Sequence, residues 1–106
     1  MVLKNYQSSS GVDLISKYID KLPTDEKVDG YHVLKCLEKG DFDSIDVKTW
    51  DGKIKEVYFI KHNRIFFIIH EGSTIYVIHA CRKQKNKTER RDVKIVKQRA
   101  KELFAN

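Results

Sequence analysis

Residues 64 to 82 read Arg64-Ile65-Phe66-Phe67-Ile68-Ile69-His70-Glu71-Gly72-Ser73-Thr74-Ile75-Tyr76-Val77-Ile78-His79-Ala80-Cys81-Arg82. Two runs rich in β-branched and aromatic residues flank Gly72-Ser73, a dipeptide that suits a type II′ turn. The stretch therefore predicts an antiparallel hairpin with strands from Arg64 to His70 and from Thr74 to Arg82. Placing Glu71 opposite Thr74 sets the register. Ile65, Phe67 and Ile69 then join Tyr76, Ile78 and Ala80 on one apolar face, which the helices are expected to cover. The opposite, free face carries Arg64, Phe66, Ile68 and His70 beside Ile75, Val77, His79 and Cys81, with Lys83 just beyond. Arg64, His79 and Lys83 are expected to converge at one end of that free face.

Upstream, Ile45 to Trp50 and Lys53 to Lys61 read as two further strands, joined by Asp51-Gly52, a strong type I′ signal. The facing of the second is open. A two-residue turn at His62-Asn63 aims Lys53 and Lys55 at the free face, whereas a three-residue loop from Lys61 to Asn63 aims Glu56 and Tyr58 there. Before the strands the period is helical. Ser10 is a plausible N-cap with Asp13 at the capping-box position, and Leu14, Ile15, Tyr18, Ile19 and Leu22 form one face of a helix ended by Pro23. Thr24 begins a second helix with Val28, Tyr31, Leu34 and Leu37 inward and Gly40 after its last turn. A third helix runs from Thr88 to Phe104, with Val93, Val96, Ala100 and Leu103 inward. The order ααββββα predicts an α+β fold. Two N-terminal helices and a C-terminal helix pack on one face of a four-stranded, mainly antiparallel sheet. Its 106 residues suit one domain, 1 to 106.

Charge is distributed unevenly. Residues 1 to 52 hold seven basic and ten acidic residues, whereas 53 to 106 hold fourteen basic and five acidic. From Arg82 to Lys101 there are ten cations and two anions, a local balance of +8. A strand that delivers such a cluster to its C-terminal end is suited to gripping phosphates, so RNA or another polyanion is the expected partner. Met1 to Ser10 lacks the apolar stretch of a signal peptide, and the longest apolar run, Ile65 to Ile69, is far too short to cross a membrane. A cytoplasmic protein is expected. Cys36 and Cys81 have no metal-ligand spacing and read as reduced core residues, so no metal or other cofactor is expected.

The segment His79-Ala80-Cys81-Arg82-Lys83-Gln84-Lys85-Asn86-Lys87-Thr88 resembles the HgFxKKTxKTP motif of HigB-like toxins, the phage-Gp49-related branch of the RelE/ParE superfamily. His79, Lys83, Lys87 and Thr88 fall on motif letters. Asp92-Val93 with Arg99 is similar to the helix that follows, Glu56-Val57 to the "ElR" strand, and Arg64-Ile65-Phe66-Phe67 to "yRvfy". Cys81 stands where the motif has Phe, Gln84 where it has its second Lys, Lys85 where it has Thr and Glu89 where it has Pro. Tyr58 replaces the Arg of "ElR". The resemblance implies a RelE-like fold and the toxin of a type II toxin–antitoxin pair. Its implied partners are a cognate antitoxin, with which it forms a hetero-oligomer, and the ribosome with its messenger RNA. The implied reaction is metal-independent cleavage of that RNA, in which a ribose 2′-hydroxyl attacks its own 3′-phosphate. Such a reaction needs cations against the developing charge and groups to take and give a proton.

The candidate catalytic residues are Arg64, Lys83, His79, Glu56 and Tyr58. Arg64 suits a two-donor phosphate clamp. Of Arg82 and Lys83, one is expected to face substrate and the other solvent. His79 suits proton transfer near neutral pH, against the commoner role of a histidine satisfied within the core. Glu56 reads either as a base or as a partner for a neighbouring Lys. Tyr58 reads as a stacking or proton-donating residue, or equally as core packing. Arg82, Lys85, Lys87, Arg90, Arg91 and Lys94 are expected to contact RNA phosphates. The competing reading is a non-enzymatic binder, either a ParE-like gyrase inhibitor or an inactive relative that binds nucleic acid and antitoxin. Tyr58 and Gln84 favour it by lowering the cation count.

Overall fold

The computed structural model describes residues 1–83 and 88–104. Its elements are β1 (Val2–Asn5), α1 (Leu14–Asp20), α2 (Thr24–Lys39), β2 (Asp46–Asp51), β3 (Ile54–Phe59), β4 (Asn63–His70), β5 (Thr74–Arg82) and α3 (Arg90–Leu103). Asp13, rather than Ser10, starts α1. Its Oδ1 accepts from the Ile15 and Ser16 amides at 3.1 and 2.9 Å, satisfying two donors that a first helical turn leaves free. Gly40 closes α2 at φ 72°, the left-handed conformation expected of a glycine there.

The inward face of α2 differs from the expected one. Val28 is 65% exposed and Tyr31 also faces outward, while Glu26, Gly30, Val33, Leu34 and Leu37 are buried. Gly30 sets this rotation. A Cβ there would lie 3.1 Å from Ile19 Cγ2 and 3.2 Å from Phe59 Cε2, so the missing side chain lets α2 lie close against α1 and β3.

The sheet has five strands in the order β1-β5-β4-β3-β2 and is mixed, which corrects the expected four. The added strand, β1, pairs in parallel with β5, Val2 beside Thr74 through Asn5 beside Val77. It has only four residues, too few for a visible alternation, and forms because the β5 edge is there to accept it.

A loop and a bulge change which side chains share a face. The β4–β5 loop has three residues, since His70 pairs with Thr74, and Glu71 and Gly72 both take positive φ. A bulge at Ile78 then restores the expected pairing beyond it, with Phe66 opposite His79 and Arg64 opposite Cys81. Between loop and bulge the two faces are exchanged. Ile75 and Val77 therefore join Ile65, Phe67 and Ala80 against Ile15, Ile19, Val33, Leu34 and Leu37 of α1 and α2.

The other face is not free. Phe66, Ile68 and Ile78, with half-buried Tyr76, pack against Val96, Ala100 and Leu103 of α3. The expectation of three helices on one face is thus corrected to α1 and α2 on one side and α3 on the other. The reason is visible in β4, where Ile65 through Ile68 are all fully buried. A strand apolar on both faces has to be covered on both. Among the described residues no helix is long and apolar enough to cross a membrane.

The close approach at Gly30 gives a direct test. Gly30→Val should overpack the α1–α2–β3 junction and lower stability by about 1–3 kcal/mol, read as a reduced urea midpoint at unchanged slope.

Candidate functional site

At one end of the sheet, the starts of β2 and β4 lie beside the ends of β3 and β5. The β3–β4 loop has three residues, Ile60 to His62, because Phe59 pairs with Asn63. Of the two facings open from sequence, this selects the one that puts Glu56 and Tyr58 on the face of Arg64. Tyr58 is directly opposite Arg64, and Lys48 of β2 is opposite Glu56.

Arg64 is the centre of this corner. It is 1% exposed, and its Nη1 donates to Glu56 Oε2 at 2.8 Å and to Thr88 Oγ1 at 3.0 Å. The Tyr58 hydroxyl donates to the other Glu56 oxygen at 2.9 Å, and the guanidinium carbon lies 4.2 Å from the centre of the Tyr58 ring. Two further cations approach the same ring, Lys48 Nζ at 4.9 Å and Lys83 Nζ at 5.6 Å. Arg64 Nε and Nη2 are buried without a hydrogen-bond partner among the described residues. Buried donors are rarely left unpaired, so this guanidinium is short of acceptors. Burial, then the bond to Glu56, raises the Tyr58 pKa above its ordinary 10.0. Desolvation, then the neighbouring Arg64 charge, lowers that of Lys83 from 10.5.

The corner therefore collects Arg64, Glu56, Tyr58 and Lys83, four of the five candidate catalytic residues. His79 lies elsewhere. It is buried beneath α3, where its Nε2 is 2.8 Å from Asp92 Oδ1, and Arg99 Nη1 approaches its Nδ1 at 3.3 Å. Arginine can only donate, so Nδ1 accepts and the ring proton sits on Nε2, donated to Asp92. Arg99 also donates to the Ile78 carbonyl at 2.8 Å. These bonds clasp α3 to β5 and correct the expectation that His79 converges with Arg64 and Lys83. The ligand atoms of His79, Cys81 and Asp92 lie within 4.8 Å of one another. Nε2 carries the proton shared with Asp92 and burial pushes the Cys81 thiol up to about 12, so an ion there would have to displace both protons.

Arg82 turns away from the corner, pairing with Glu26 of α2 and donating to the Lys61 carbonyl at 3.3 Å. Asn63 joins the same network, donating to Glu26 Oε1 at 2.8 Å and accepting from the Tyr18 hydroxyl. Arg90, Arg91 and Lys94 are exposed on the outer side of α3. Lys85 and Lys87, like Gln84, lie outside the described residues.

Two members of the corner escape the sequence pattern. A two-residue turn at Asp51-Gly52 would put Lys55 opposite Lys48. The turn falls instead at Gly52-Lys53, where Asp51 pairs with Ile54, and a bulge at Trp50 then pairs Thr49 with Lys55 and brings Lys48 to Glu56. The pattern makes Thr88 a helix cap, but α3 begins after Glu89 and the Thr88 hydroxyl serves Arg64.

A family model described as phage derived protein Gp49-like (DUF891) matches residues 17–101. No curated protein matches the chain.

The His79 clasp predicts a pH dependence of stability. Burial lowers the pKa of folded His79 from 6.5, outweighing the opposing effect of Asp92. Between the folded value and 6.5 the unfolded chain binds more protons, so stability is full above pH 6.5 and falls as pH drops through that window. Urea midpoints measured from about pH 7.5 to about pH 5 should show this loss, and His79→Gln should flatten it.

Proposed function

Because the chain belongs to the phage-derived Gp49-like family, we propose that it is the toxin of a type II toxin–antitoxin pair. On this reading it is a HigB-like member of the RelE/ParE superfamily, which cuts messenger RNA on the ribosome and is restrained by a cognate antitoxin. The observation that carries the reading is Arg64, a buried guanidinium with two nitrogens unpartnered among the described residues, beside a carboxylate, a phenol and two lysines. A phosphodiester supplies the acceptors that this group lacks, and Lys48 and Lys83 add charge where a phosphorane would develop.

In the proposed reaction, Glu56 takes the proton from a ribose 2′-hydroxyl as that oxygen bonds to the adjacent phosphorus. The bond from phosphorus to the 5′-oxygen breaks, and the Lys83 ammonium, a stronger acid than an ordinary lysine, protonates the leaving oxygen. The products carry a 2′,3′-cyclic phosphate and a 5′-hydroxyl. Tyr58 holds Glu56 and covers one face of Arg64, so its expected place is positioning. His79 has no part in this scheme.

The same Tyr58 packing favours the second reading, a binder without nuclease activity, because it occupies a guanidinium face that substrate would otherwise meet. A translation assay separates the two. Wild-type protein should cut transcripts within coding regions only when ribosomes are present. Lys83→Ala should slow cutting roughly 10²-fold with an unchanged unfolding midpoint, since its side chain is partly exposed. Glu56→Gln keeps a carbonyl oxygen for Arg64 and turns its amide toward the Tyr58 oxygen, but loses the base, and should cost about 10²–10⁴-fold. Intact transcripts together with DNA-damage signalling on induction would give the chain to the gyrase reading. Arg64→Ala is the poorer probe, because leaving Glu56 buried and unpaired costs about 3–5 kcal/mol of stability.

A further inference from the structure

Beside the Arg64 corner runs an open groove of about 590 Å³, lined by Lys48 and Tyr58 on the site side and by Lys61, His62 and Arg82 on the other. Its far wall is the Ile60–His62 loop, where Lys61 has φ 63° and His62 has φ 65°. Two consecutive residues with side chains in the left-handed region are strained. Glycine occupies that region without a steric penalty and asparagine tolerates it, yet this loop carries a lysine and a histidine.

The strain is held in place from several directions. Ile60 N donates to Asp29 Oδ2 at 3.0 Å, and Asn63 Nδ2 donates to the Ile60 carbonyl at 2.7 Å. Arg82 Nη1 donates to the Lys61 carbonyl at 3.3 Å, and the Lys83 amide donates to the His62 carbonyl at 2.8 Å. The last bond ties the loop to a residue of the corner itself. Backbone strain that persists because its surroundings over-determine it is a mark of functional segments. What it achieves here is to set two basic side chains along the rim of the groove.

We infer that this groove is a second nucleotide subsite, seating the ribonucleotide that adjoins the one whose phosphate faces Arg64. The inference rests on the nuclease reading for the identity of the polymer. Arg82 is neutralised by Glu26, but Lys48 and Lys61 still outnumber Asp46 along the walls, so the occupant is anionic. Arg64, Lys48 and Lys83 lie 4.2, 4.9 and 5.6 Å from the centre of the Tyr58 ring, so a base stacking there would compete with three cations. The subsite therefore recognises the sugar–phosphate backbone and tolerates any base.

The test uses the full chain and a fluorescein-labelled 2′-O-methyl RNA hexanucleotide, which binds but cannot be cut. The double variant Lys61→Gly, His62→Gly relieves the strained backbone while removing both side chains. Its thermal midpoint should rise by several degrees as its affinity for the oligonucleotide falls about tenfold. The slope of log affinity against log salt should become shallower by about 0.7 for each phosphate of a single strand that the variant no longer neutralises. The matching asparagine double variant, which also accepts positive φ, should show the same fall in affinity. A raised midpoint with unchanged affinity and slope would overturn the subsite, and so would a lowered midpoint in the glycine variant. Weaker binding of a poly-glutamate peptide with RNA binding intact would assign the groove to an acidic protein segment and equally overturn the inference. Because the probe is uncleavable, these outcomes are read independently of whether the wild-type protein cuts messenger RNA.

Discussion

A guanidinium and a carboxylate buried together, Arg64 and Glu56 at 2.8 Å, are the interaction around which the rest is arranged. Taking two charges out of water costs nearly as much as their attraction returns, so such a pair adds little net stability, although breaking it is expensive. What it contributes is position. The pair fixes β3 against β4 in the facing that turns Tyr58 inward, and it holds Arg64 Nη1 toward Thr88, where the chain enters α3. Among the described residues the remaining guanidinium nitrogens have no partner, which makes the corner poor as a core and well suited to an anion.

The corner is braced from both faces of the sheet. On the α1–α2 side, Glu26 receives Asn63 and Arg82, and Tyr18 donates to Asn63, so the start of β4 and the end of β5 are fastened to both helices. On the other side, Asp92, His79 and Arg99 pin α3 to β5. Arg99 also lies over the Tyr6 ring, whose hydroxyl donates to Glu102, linking the N-terminal segment to the same helix. With both braces in place, Arg64 is held on a rigid strand, and Lys83 follows directly on the braced end of β5, its amide donating to the His62 carbonyl. His79 therefore serves as a joint between helix and sheet.

The departures from the motif that residues 79–88 and their neighbours resemble acquire a physical meaning in three dimensions. Tyr58 stands where the pattern carries an arginine, removing a cation from β3. Lys48, one strand over, brings its ammonium to 4.9 Å from the Tyr58 ring and returns positive charge to the same place. The ring itself becomes the surface on which three cations gather, its electron-rich face offsetting their mutual repulsion. Lys48 has no counterpart among the motif letters. It can be found only by following the β2–β3 ladder across its bulge.

Much of the fold is legible locally. The helical spacing of Leu14, Ile15, Tyr18 and Ile19, the bounds of β5, and the outward cations of α3 all follow from short-range periodicity, which water and a single apolar neighbour suffice to enforce. The charge asymmetry and the link between Arg64, Glu56, Tyr58 and Lys83 are likewise legible, the latter with one facing left open. Tertiary structure alone decided the rest. The bulges at Trp50 and Ile78 each shift a strand by one residue, and since side chains alternate, one residue exchanges the faces. A four-residue β1 exists only because the β5 edge accepts it. That α3 covers the second face, and so claims His79, follows from a β4 apolar on both sides. Sequence pattern specifies that a residue is to be buried, but which neighbour buries it is settled only when the distant elements meet.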